Sequence, residues 1–167
     1  MIEPAATTDF DAIAELNVAA YEQFAPRLAD GAWLLMQKNL SNISERARVA
    51  EFLVCREAGA IVASVAYCPA GSGDPTVFRP DMASVLLLAV HPQHRGRGLA
   101  RDLTEACIAK ARRDGASSIG LFTSELMESA QRLYKSLGFQ LASELPPRHG
   151  VRYFLFVLPL ATKSVGG

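Results

Sequence analysis

Ser84-Val85-Leu86-Leu87-Leu88-Ala89-Val90-His91-Pro92-Gln93-His94-Arg95-Gly96-Arg97-Gly98-Leu99-Ala100 reads as a buried strand, a tight turn and the start of a helix. Val85 to Val90 is an unbroken apolar run, His91-Pro92 stops it, and Gly96 and Gly98 free the backbone just before a helical pattern begins at Leu99. Such a junction suits an anion. The first N–H groups of a helix have no partner within it, and the helix dipole adds to their attraction for a phosphate.

Working outward, Leu99, Leu103, Ala106, Cys107 and Ala111 mark the helix, with Arg112 and Arg113 in its last turn and Gly115 at its end. Ser117 to Thr123 is the next strand, and the intervening helix predicts that it runs parallel to the central one. Leu126, Ala130, Leu133 and Leu137 form another helical register ending at Gly138, and Phe139–Ser143 and Val151–Leu158 are final strands around a Pro146-Pro147 and Gly150 loop. On the other side, Phe52–Cys55 and Ile61–Tyr67 flank a turn at Glu57–Ala60, which predicts a hairpin. Pro69 to Asp81 is the longest loop, expected to shape a pocket together with Phe24 to Arg48. Ile2 to Ala5 is a short first strand, Thr7-Thr8-Asp9 offers capping to a helix through Phe10, Ile13, Leu16 and Ala20, and Trp33 to Leu40 is a second helix. Ser44 to Ala50 either continues that helix or stands apart. The expected organisation is one domain over 1–160 with a frayed tail over 161–167.

The 167 residues suffice for a core without disulfides or metal. Seventeen basic and 17 acidic residues balance, which speaks against nucleic acid as a bulk electrostatic partner and makes any anion site local. Cys55, Cys68 and Cys107 lie in apolar segments with no C-x-x-C pair and read as reduced core thiols. Met1-Ile2-Glu3-Pro4 has no basic or apolar leader character, and no segment approaches the length of a membrane span. The expectation is a cytoplasmic protein that is neither exported nor membrane-bound. His91, His94 and His149 lack the spacing and carboxylate company of a zinc site, so no metal is expected.

A Walker A loop would need a lysine and hydroxyl pair after its last glycine, which this turn lacks. A dinucleotide fingerprint would begin directly after the strand, but five residues, His91 to Arg95, precede Gly96, and Arg101 stands at its third glycine position. What remains is a turn, Gln93 to Gly98, whose successive amides wrap a pyrophosphate. Here the chain resembles the GNAT superfamily of N-acetyltransferases. Leu88-Ala89-Val90, His91-Pro92, Arg95-Gly96-Arg97-Gly98-Leu99-Ala100, Ala130, Leu133-Tyr134-Lys135 and Leu137-Gly138-Phe139 carry the resemblance, which is strong over 83–143.

The resemblance implies an α/β (α+β) acyl-CoA N-acyltransferase fold: a mixed, mostly antiparallel sheet flanked by helices, with a parallel pair that splays at a bulge to form the cofactor cleft. It implies acetyl-CoA as cosubstrate. Main-chain groups of Leu88, Ala89 and Val90 would pair with the pantothenate arm, with the amide of Ala89 or Val90 aimed at the thioester carbonyl. Gln93, Arg95, Gly96, Arg97, Gly98, Leu99 and Ala100 would hold the phosphates, and Arg101 is a further candidate. Tyr134 would be the general acid that protonates the departing thiolate. Two positions depart from the family pattern. Ser84 stands where many members carry Glu, which removes a carboxylate from the base role, and Met127 stands where many carry Asn. Asp81, Glu51 and Glu125 could border the acceptor cleft but read as ordinary loop or strand-end charges; Trp33 and Phe24 read as packing. The acceptor is an amine, a small molecule in preference to a protein, and a homodimer is compatible with the chain. The competing reading is an acyl-CoA sensor or interaction module that keeps the loop and lacks the chemistry.

Overall fold

The computed structural model describes residues 1–160, and the tail expected over 161–167 lies outside them. Seven strands form one sheet: β1 (Ile2–Pro4), β2 (Glu51–Glu57), β3 (Ala60–Cys68), β4 (Met82–Val90), β5 (Ser118–Ser124), β6 (Gln140–Arg148) and β7 (Val151–Pro159), in spatial order β1-β2-β3-β4-β5-β7-β6. Every pairing is antiparallel except β4 with β5, the pair joined through a helix. The helices are α1 (Phe10–Tyr21), α2 (Ala32–Ser41), α3 (Ile43–Arg46), α4 (Leu99–Arg113) and α5 (Glu128–Ser136).

The central strands are apolar on both faces because helices cover both. Leu53, Cys55, Val65, Tyr67, Ala83 and Val85 pack with Leu103, Cys107 and Ala111 of α4. Phe52, Val54 and Ala66, on the opposite face, meet Ile13 of α1 and Ile43 of α3. The three cysteines are free and buried, and burial pushes the Cys107 thiol up to about 12.

β4 breaks its own alternation. Leu86 and Leu87 both pack on the α1 and α3 side, Leu88 returns to the α4 side, and Ala89 meets Leu16 and Ala20 of α1. The extra residue is a bulge: Ser64 and Ala66 of β3 face Ala89 and Leu86, and Leu87 takes a φ of 55°. Parallel pairing with β5 runs only from Met82–Ser118 to Ser84–Gly120. Beyond that point β5 continues beside β7 and β4 beside β3, leaving a wedge between them.

Several local expectations change. Asp9 does not cap α1; its carboxylate accepts from the Ala6 amide (2.8 Å) and from Arg56 (2.6 Å), so it ties the turn Thr7–Asp9 to β2. Ser44 to Ala50 stands apart from α2, since Asn42 (φ −84°, ψ 61°) interrupts the helix before α3. Leu126 precedes α5 instead of opening it. Pro146 and Pro147 lie in β6, where the register slips between Leu145 and Arg148, and the turn is His149-Gly150. Prolines are tolerated there because β6 is an edge strand.

Candidate active site

Two adjoining cavities occupy the wedge. The larger, about 680 Å³, is floored by Leu88 to Val90 and closed at one end by the turn before α4. The smaller, about 150 Å³, lies between Val85–Leu88 and Leu121–Ser124. Tyr21, Phe24, Leu88, Leu126 and Met127 border both, so the cavities meet at the bulged part of β4.

The turn is built as a cradle. Gly96 and Gly98 have φ of 78° and 81°, a left-handed conformation that side chains resist, while the space where a Cβ would stand is open. Glycine is therefore needed for the path of the chain, not for room. Gly96, Gly98, Leu99 and Ala100 line the larger cavity. Arg95 also lines it, with its guanidinium donating to the Ala20 carbonyl (3.0 Å) and to Gln23 (3.2 Å). Arg97 turns away to Glu57 (3.0 Å), and Gln93 offers its amide to His91 Nδ1 (3.2 Å); neither side chain borders the cavity. Arg101 lines it and donates to Ser136 (2.7 Å).

The free edge of β4 has a defined polarity. The His91 amide donates to Val62 of β3 (2.8 Å), and the Tyr21 hydroxyl reaches the Leu88 carbonyl from the other side (2.9 Å). Main-chain groups alternate direction along an extended strand. The Val90 amide therefore faces the wedge and that of Ala89 faces β3.

Tyr134 is buried (5% exposed) on α5, its ring 5.8 Å from that of Phe139, and it lines the smaller cavity. Among the described residues its hydroxyl has no hydrogen-bond partner in the protein, and burial, then the neighbouring Tyr21, push its pKa up. The glycine turn, the free strand edge and the buried phenol thus share one wedge.

The profile of the Acetyltransferase (GNAT) family matches residues 10–139. This chain belongs to the GNAT acetyltransferase family. It is 38% identical over 93 residues to mouse N-acetyltransferase 8, a match covering 56% of this chain and 40% of that protein. The matching chain thus spans less than half the length of that relative. Among solved structures, yncA of Salmonella typhimurium with acetyl-CoA superposes with a TM-score of 0.70 at 22% identity, covering 100% of this chain and 97% of that one. The PaiA N-acetyltransferase of Thermoplasma acidophilum in complex with coenzyme A gives 0.74 at 12% identity, with coverage of 96% and 98%. The mixed sheet with a splayed parallel pair is the GNAT fold.

In this GNAT chain, sequence patterning missed most of the smaller cavity's lining. Tyr21, Arg46, Arg148, His149 and Tyr153 line the smaller cavity, arriving from α1, α3, the end of β6, the β6–β7 turn and β7. No local spacing links them. The turn is docked by the Ala29 amide, which donates to the His149 carbonyl (2.9 Å), and by Gly150, where a Cβ would stand 2.8 Å from that of Ala29. Burial, then Arg148, lowers the His149 pKa below the ordinary 6.5. Phe24 packs beside Leu126, Val151 and Tyr153, as expected, and also borders both cavities, whereas Trp33 borders neither.

The 69–81 loop also departs from expectation: it lines neither cavity, because its anchor Phe78 is buried with Met82 and Leu155 beneath the sheet. Phe24 to Arg48 does contribute to the smaller cavity. Asp81 holds the Ser117 hydroxyl (2.6 Å), Glu51 holds Lys110 (2.7 Å) and Glu125 accepts from the Arg152 amide (2.9 Å), all away from the wedge. Ser84 is fully buried opposite Cys68 and lines neither cavity. Among the described residues no three of His, Cys, Asp or Glu gather as metal ligands, and no helix is long and apolar enough to cross a membrane.

Proposed function

We propose that the chain transfers the acetyl group of acetyl-CoA directly to a primary amine. The observation that carries this is the continuity of the wedge: the glycine turn, the free edge of β4 and Tyr134 border two cavities that meet at Leu88. In this reading the pyrophosphate lies on the amides from Gly96 to Ala100, with Arg95 and Arg101 beside it and Gln93 and Arg97 shaping the turn from outside. The pantothenate arm runs along Leu88 to Val90. The yncA structure holds acetyl-CoA in the same fold, which supports acetyl-CoA as the cosubstrate.

The chemistry follows from charge. The amine lone pair attacks the thioester carbon, the carbonyl oxygen gains negative charge opposite the Val90 amide, and the C–S bond breaks. Tyr134, held protonated by burial, gives its proton to the leaving sulfur. The amine proton goes to His149. Of the titratable groups lining the smaller cavity, the arginines are cationic and Tyr21, Tyr134 and Tyr153 are held protonated by burial. The imidazole is the neutral base that remains. A cavity of about 150 Å³ suits a small-molecule amine, since a space of that order holds one benzene-sized group.

Coenzyme A release measured across a panel of amines tests the reading. Tyr134→Phe should lower kcat on the order of 100-fold while the Kd for acetyl-CoA stays near that of the unmodified protein. Unchanged turnover with a good acceptor removes Tyr134 from the mechanism.

A further inference from the structure

We infer that the acceptor is an amine carrying a carboxylate on a small apolar body, an amino acid in chemical class, with Arg46 and Arg148 binding the carboxylate. The inference rests on the acetyl-transfer reading above and names the substrate class of the same site.

The smaller cavity has cationic but no acidic lining: Arg46 and Arg148 border it beside the neutral His149 imidazole, and among the described residues no Asp or Glu does. Arg46 is half-buried, and its Nε is shielded from solvent without a hydrogen-bond partner. Elsewhere the partly buried cations are matched: Arg56 holds Asp9 (2.6 Å) and Lys110 holds Glu51 (2.7 Å). Shielding a guanidinium without a counter-charge is unfavourable unless a ligand supplies one. Arg148 extends its guanidinium over the Phe122 ring, 5.2 Å from the centroid. Asp74, in the loop before β4, feels the Arg148 charge, but no ion pair within 4.0 Å joins them among the described residues.

The cosubstrate phosphates do not explain these arginines, since neither lines the larger cavity. A planar guanidinium is matched to a carboxylate by paired charge-assisted hydrogen bonds. A diamine or polyamine would place its second ammonium among cations with no carboxylate to receive it. Much of the remaining wall, including Phe24, Leu28, Met36 and Leu126, is apolar and selects a hydrophobic body, while Asn39, Thr123 and Ser124 add polar side chains.

The test is coenzyme A release by the full chain with alanine, leucine and phenylalanine, each beside its methyl ester and its decarboxylated amine, and with putrescine. For the best-fitting side chain, kcat/KM for the acid should exceed that for ester and amine by roughly 10–100-fold, the worth of charge-assisted hydrogen bonds. Arg46→Gln and Arg148→Gln should each cut the acid-to-amine ratio about tenfold, and Arg46→Lys should keep part of it. Equal rates for acid and amine, preference for putrescine, or a ratio that survives both glutamine substitutions overturns the inference while leaving acetyl transfer standing. Turnover of none of these amines counts against acetyl transfer itself. In that case calorimetry of the same three acids against the coenzyme A-saturated protein decides the carboxylate site: binding weakened in Arg46→Gln supports it, and no binding overturns it.

Discussion

Burial acts in opposite senses on Tyr134 and His149, which both line the smaller cavity, and both effects favour the neutral form. It raises Tyr134, which keeps a proton to give, and lowers His149, which leaves a lone pair to receive one. The sign of the pH dependence follows. At saturating substrate, kcat should fall as His149 becomes protonated, on an acid limb centred below 6.5, and be level in that respect at neutral pH. His149→Gln should lower the plateau and abolish that limb; a pH–rate profile unchanged by the substitution removes His149 from proton transfer. Tyr134 was singled out through the family resemblance of its neighbours, Ala130 and Leu137-Gly138-Phe139, and it lines the smaller cavity. His149, Arg46 and Arg148 were not singled out as site residues, because they reach one cavity from distant parts of the chain.

At the level of elements, the bulge of β4 decides where the site opens. The run Leu86-Leu87-Leu88 gives no sign of it, since three leucines fit either an alternating or a bulged strand; the resemblance to a family with a splayed pair carried that expectation. The two glycine environments around the wedge separate binding from folding. Gly98 faces open space, so Gly98→Val strains only the turn, by about 1–2 kcal/mol. It should weaken acetyl-CoA binding in calorimetry and lower the melting temperature by only about 2–8 °C. Gly120, at the last parallel pair, has the Met82 sulfur 2.6 Å and Phe78 3.2 Å from where a Cβ would stand. Gly120→Val should therefore destabilise the fold by roughly 1–3 kcal/mol through overpacking, measured by urea unfolding. The β6–β7 expectation failed for a related reason: Pro146-Pro147 looks like a loop locally, yet an edge strand with a register slip accommodates it.

For the whole molecule, the strand set and the parallel pair were legible because hydrophobic runs and one βαβ connection restrict the topology strongly; the strand order, which places β7 between β5 and β6, was not. The helices between Glu22 and Ala50 were legible only in outline, since their packing and not their periodicity sets where they end. The amino-terminal edge is tied down by Arg56 of β2, which grips Glu3 of β1 and Asp9 before α1. Hydrogen bonding from Arg56, then from the Ala6 amide, holds the Asp9 carboxyl below its ordinary 3.8. Its contribution is fully present above about 3.8, the value assumed for the unfolded chain, and is lost as pH falls through the lower folded value. Asp9→Asn should accordingly be less stable than the unmodified protein at neutral pH, with the gap closing only below that range; a gap independent of pH would assign Asp9 a packing role instead. The central claim, that acetyl-CoA completes the open edge of β4, is tested most directly by amide hydrogen exchange followed by NMR with and without acetyl-CoA. The Val90 amide should gain marked protection, while that of Ala89, already turned toward β3, should change little. Protection confined to other strands, with Val90 exchanging as fast as in the free protein, would contradict it.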